Sequence, residues 1–301
     1  MKKPTRAQTR VLQGLHAYAT ELGQLTREAQ QQRETTGSTP GREWFDRYHQ
    51  YAILHEALTS AAHAAAVPPQ WIGHARDAGE RGIAWAEVEF AKPAAPKWDR
   101  VFSDLTAQAR QLCEWTALDT ARRQLGPVPA KTGEAFDRNL HALRSRLTGV
   151  VNLLDLNPGD GEQLWGTISD WVETGYQLLA DHPAESIIQR WETAARVDTE
   201  SLAWQATTLA QARIKILTSV ALPDHDLLTA RLGVLTLGQP SLFHHPRNGA
   251  DISAAVEAAE ADRTSAELVF SAADPPESVL VYEADTVAAP EFRAAAREVD
   301  L

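Results

Sequence analysis

The residues that most readily do chemistry in this chain are its histidines, its carboxylates and one cysteine, and their spacing narrows what that chemistry can be. Asp46 and His49 stand three apart, as in half of a carboxylate-bridged di-metal bundle, but the second Glu-x-x-His that such a centre needs is missing. His55-Glu56 opens a His-Glu-x-x-His zinc motif and fails at Thr59. Asp155 and Asn157 fit the first ligand positions of an EF-hand loop, yet Gly159 and Gly166 stand where further ligands belong. Asp160 with Gln163 reads instead as a helix-capping box. His225 lies between Asp224 and Asp226, and His244 adjoins His245; neighbours in sequence rarely share one ion, so these read as loop histidines. Cys113, in QLCEW, reads as a small buried hydrophobe on an amphipathic helix. No phosphate loop, nucleophile elbow or Asp-rich magnesium motif occurs. The expectation is no metal, no cofactor and no recognisable catalytic constellation.

One stretch carries a mechanism of another kind. Leu58–Trp85 reads as a helix, a break at Val67-Pro68-Pro69 and a second helix. Ala61, Ala62 and Ala65 supply the small residues that let two steeply crossed helices approach, and Ile72 and Ala75 turn the second helix inward. Ala66 stands where such a turn usually has glycine, and Pro69 suits a first helical turn. This is a helix-turn-helix-like hairpin. A reading helix at 69–81 would expose Gln70, Trp71, His74, Arg76 and Asp77, and offers Gln70, His74, Arg76 and Arg81 to bases or phosphates, with Arg6 and Arg10 of the first helix as further phosphate contacts. Asp77 and Glu80 cancel Arg76 and Arg81, which weakens such a surface.

The elements that hold these residues are helical throughout the first three quarters of the chain. Apolar residues recur at three- and four-residue spacing over 4–34, 42–66, 97–125, 132–156, 161–181 and 184–220, the last with a kink or split near Asp198-Thr199. In 42–66 the aromatic face of Trp44, Phe45, Tyr48 and Tyr51 reads as core. In 132–156 Phe136, Leu140, Leu143, Leu147 and Val150 form the core stripe, while Arg138, Arg144 and Arg146 decorate other faces. Residues 87–96, EVEFAKPAAP, form an extended linker. Beyond Pro223 the texture changes: GVLTL (233–237), ELVFS (267–271) and SVLVYE (278–283) look like strands, and 251–262 and 290–298 like helices.

These patterns give a mainly α fold: a multi-helix bundle over 1–222 and a small acidic α/β or irregular C-terminal region over 223–301. With 301 residues and 44% hydrophobic content, the chain can bury a real core. Its net charge of −11 is unevenly distributed, +4 over residues 1–150 and −15 over 151–301. One cysteine excludes an internal disulfide. The basic N-terminus is followed by no apolar segment and no run reaches membrane-spanning length, so a cytoplasmic, membrane-free location is expected. The leading functional expectation is a non-enzymatic interaction protein that binds a protein partner or a second copy of itself. The alternative is a helix-turn-helix protein reading duplex DNA through 69–81, and the third is an enzyme without a recognisable motif.

Overall fold

The computed structural model of the chain describes residues 3–237. The C-terminal segments 251–262, 267–271, 278–283 and 290–298, and His244-His245, lie outside the described residues. Within them the fold is a multi-helix bundle without a strand.

Helix α1 (Arg6–Thr36) begins at a capping box: Gln8 N–H donates to Thr5 Oγ1 at 3.2 Å and Thr5 N–H donates to Gln8 Oε1 at 3.0 Å. It ends at Gly37, in the left-handed region at φ +70°. Helix α2 (Arg42–Ala64) is bound to it through Trp44, whose indole N–H donates to Leu25 O at 2.9 Å. The aromatic face of α2 is only partly core: Trp44 stacks on Tyr48 at 5.1 Å, while Phe45 remains 48% exposed. Helix α3 (Pro69–Glu80) packs chiefly on α1. The two approach closely because glycines face each other's backbone. A Cβ on Gly79 would stand 2.4 Å from His16 O, and one on Gly23 would stand 2.6 Å from Glu80 O.

A connector then leads to α4 (Trp98–Gln124) and α5 (Ala130–Leu154), the central pair. Against them pack α6 (Pro158–Trp165), α7 (Ile168–Ala180), α8 (Ala184–Ala195) and α9 (Glu200–Gln211). Trp115, Phe136 and Trp191 form the aromatic centre; Phe136 and Trp191 are stacked at 4.9 Å, both fully buried. α9 also packs on α2, joining the first three helices to the rest.

Several expected elements differ in detail. The segment 161–181 is two helices, because Gly166 takes φ +83° and Thr167 starts a new capping box with Asp170. Thr167 hydrogen bonds hold the Asp170 carboxyl below the usual carboxylate range. The capping box of α6 lies three residues earlier than Asp160–Gln163: Asn157 is the cap, accepting from Asp160 N–H at 3.0 Å. The segment 184–220 breaks fully between α8 and α9 and again after Gln211. Asn139 of α5 explains the first break. Its amide N–H groups donate to Ala194 O, Ala195 O and Val197 O, and its Oδ1 accepts from the Thr199 hydroxyl at 2.7 Å. These bonds take up the carbonyls that α8 leaves open.

GVLTL at 233–237 is not a strand. It is the end of α10 (His225–Leu237), which packs on α4 and α7 with Leu228 and Leu232 in the core. The i,i+4 burial of those leucines overrides the local β-propensity of Val234 and Thr236. The helical unit therefore continues beyond residue 222.

Candidate binding cleft

The helix-turn-helix-like hairpin has the turn expected of it. Ala66 sits at φ +52°, the left-handed conformation that glycine adopts most easily. Trp71, Ile72, Ala75, Ala78 and Gly79 are buried, and Gln70, His74, Arg76, Asp77, Glu80 and Arg81 face outward. The outward side chains are engaged individually. The Arg76 guanidinium lies 3.0 Å from Asp77 and 3.7 Å from Glu80. Arg81 Nε donates to Asp77 O on its own helix at 3.1 Å. The connector crosses one flank of α3. Trp71 donates to Ala91 O at 2.7 Å, and Phe90 packs against Trp71, His74 and Trp85. Arg6 is exposed, and Arg10 donates to Arg213 O at 3.2 Å, just past α9. Of the six residues singled out for DNA, Arg76 is ion-paired, and Arg81 and Arg10 are hydrogen-bonded to backbone carbonyls.

Gln70 leads elsewhere. It lines a cleft of about 730 Å³, the largest of the cavities described, between the α2–α3 hairpin, the end of the connector, the first turns of α4 and the middle of α5. The cleft exists for a local reason. Its walls include Ala64, Ala66, Pro68, Ala94, Ala95 and Pro96, short or rigid residues that cannot fill the space between helices. The KPAAP segment that reads as a plain linker is thus one wall.

The polar groups of the cleft are few. Lys97, Arg100 and Arg146 bring three cations and Asp104 one carboxylate, in a chain of net charge −11. Arg100 pairs with Asp104 at 4.0 Å. Neither helix that begins here, α3 at Pro68 or α4 at Lys97, has a side-chain N-cap. Arg146 is the residue that the sequence placed wrongly. Expected on a solvated face, it is only 6% exposed. Its Nε donates to Gln205 Oε1 at 3.1 Å and its Nη1 to Gln108 Oε1, both neutral amides. Among the described residues no carboxylate lies within ion-pair distance of it. Burial pushes the guanidinium down to about 10, the Asp104 charge opposing. The α5 pattern contained a signal for this: 139, 143, 146 and 150 fall on one helical face, with Asn139, Leu143 and Val150 all buried.

The other chemical candidates stand apart. Cys113 is buried, its Sγ donating to Trp171 O at 3.3 Å, and burial pushes the thiol up to about 11. His225 starts α10, its imidazole pushed down by burial and by Arg144. Among the described residues no group of three or more His, Cys, Asp or Glu side chains is arranged to hold a metal ion. None of the described helices is long and apolar enough to cross a membrane. No family model, curated protein or solved structure matches the chain.

Proposed function

We propose that this chain acts by binding and that the cleft beside the α2–α3 turn is where it takes a small organic ligand. The observation that carries the reading is the combination at one place of about 730 Å³ of concave, largely apolar space and a buried polar group, Arg146. Ligand sites have this composition: apolar walls for affinity and a few polar groups for orientation. The test uses a neutral fluorescent probe, N-phenyl-1-naphthylamine. It gains fluorescence on entering the cleft of the full chain, and Val101→Trp, which fills the cleft, removes the gain. A probe signal that is absent, or that survives Val101→Trp unchanged, refutes the assignment.

A specific observation also favours binding of a protein partner or a second copy of the chain. Helix α10 is apolar on both sides: Leu228 and Leu232 point into the core, while Leu227, Val234 and Leu235 are 44%, 71% and 42% exposed. Leu217 and Val220, on the segment before it, are also exposed. Exposed apolar side chains gathered on one stretch in this way are normally covered. On this reading light scattering of the wild type reports a dimer or larger species, and Val234→Glu converts it to monomer. A wild-type monomer at all concentrations counts against it.

A further inference from the structure

The cleft's floor specifies more than a small ligand. We infer that Arg146 is the anchor for an oxyanion, and that the cleft takes an organic anion, a carboxylate or phosphate monoester, carrying an apolar body. The inference rests on the cleft being a ligand site.

Two buried arginines occur among the described residues, and they differ in what occupies them. Arg122 donates to Gly126 O and Pro127 O, closing the end of α4, and lies 5.5 Å over the Trp191 ring. Its acceptors are neutral carbonyls too and its Nε has no hydrogen-bond partner among the described residues, but the face of the Trp191 ring takes up its charge. Arg146 serves no helix end and meets no carboxylate. Its two hydrogen bonds go to the side-chain amides of Gln108 and Gln205, and Nη2 has no hydrogen-bond partner among the described residues. Buried charges are ordinarily paired. A guanidinium held by two neutral acceptors keeps a fixed plane and lacks, among the described residues, a carboxylate at ion-pair distance, Asp104 acting on it only from further off. Nη2, the nitrogen these bonds leave over, is the donor that meets a carboxylate or phosphate oxygen.

The surroundings point the same way. Gln108, which accepts from Arg146, itself lines the cleft. Asp104, the one carboxylate there, is paired with Arg100 on the preceding turn, and Lys97 adds a cation. The remaining walls, with Val67, Val101 and Leu105 among the Ala and Pro residues, are mostly apolar, His63 and Gln70 excepted. They suit a hydrocarbon or an aromatic ring.

The experiment is displacement of N-phenyl-1-naphthylamine from the full chain by decanoate, decyl phosphate and decanol, in wild type, Arg146→Met and Gln70→Glu. Decanoate or decyl phosphate is expected to displace the probe about ten-fold better, relative to decanol, in wild type than in Arg146→Met, the effect of a charge-assisted hydrogen bond. Gln70→Glu, an exposed substitution on the rim, keeps the argument testable if Arg146→Met does not fold: added negative charge weakens both anions and leaves decanol unchanged. An anion-to-decanol ratio that is the same in all three proteins overturns the oxyanion anchor while leaving the cleft as an apolar ligand site. Failure of the probe itself to bind overturns both. Inorganic phosphate displacing the probe as well as decyl phosphate overturns the apolar half of the assignment.

Discussion

Replacing Arg146 by methionine separates a binding group from a structural strut. The guanidinium is pushed down to about 10 by burial, more than two powers of ten below its ordinary value. At about 1.4 kcal/mol for each tenfold change, holding the charge there opposes folding by about 3 kcal/mol at pH 7. Methionine removes that charge and keeps much of the apolar stem. It also leaves Gln205 Oε1 and Gln108 Oε1 without their donor, a loss of about 1 kcal/mol each. The net expectation is a variant about 1 kcal/mol more stable than wild type, read by urea unfolding with an unchanged m-value. The advantage depends on pH in a definite direction. A cation whose folded pKa is depressed opposes folding in full below that pKa. Between about 10 and the higher pKa of an unfolded arginine, the unfolded chain holds the proton and the folded chain has lost it. Wild-type stability therefore recovers there relative to the variant, and the difference between them closes as pH rises above 10. Were Arg146 half of a structural ion pair, its loss would instead destabilise by about 3–5 kcal/mol. A variant that loses more than about 2 kcal/mol at pH 7 refutes the account of a charge without an ion-pair partner.

Ala66, at φ +52°, holds a conformation that disfavours a Cβ, so Ala66→Gly stabilises by about 1 kcal/mol, seen as a higher melting temperature. Gly79→Ala has the opposite effect: helix propensity favours alanine by about 1 kcal/mol, but overpacking costs about 1–3 kcal/mol. With its Cβ placed 2.4 Å from a backbone carbonyl of α1, the upper end of that range applies, and calorimetry shows a lower melting temperature. Fluorescence anisotropy with duplex DNA is expected to show no salt-dependent binding and no effect of Arg76→Ala, because Arg76 is already neutralised by Asp77 and Glu80. A steep salt dependence lost in Arg76→Ala would restore duplex recognition by α3.

Much of the fold was legible because helical periodicity is local. The stripes Val11, Leu12, Leu15 and Phe136, Leu143, Leu147 predict both the helices and their buried faces, and the structure buries each of these residues. Breaks that depend on local chemistry were legible in kind, with glycine or proline at Gly37 and Pro68. The break after α8 was seen only as a site of weakness near Asp198. What closes it is Asn139, about sixty residues away, and no local pattern announces a side chain that will cap a distant helix. GVLTL failed for a related reason, since its β-branched residues follow the packing of Leu228 and Leu232 on α4 and α7.

The candidate site divides the same way. The sequence by itself determined the α2–α3 hairpin, the place of its turn at Ala66 and the near-cancellation of charge on its second helix, because these are set within a few residues. Which way Gln70, His74, Arg76 and Arg81 face was left to packing, and Trp71, expected to be exposed with them, is buried. Only the tertiary structure decided that Gln70 would border a cleft, that a Pro-Ala linker would wall it and that Arg146 would lie buried at it beside two neutral amides. The physical reason is that a cleft is the space that separate segments fail to fill, and a charge's state depends on which partners packing brings within reach. Neither is encoded at any one stretch of the chain.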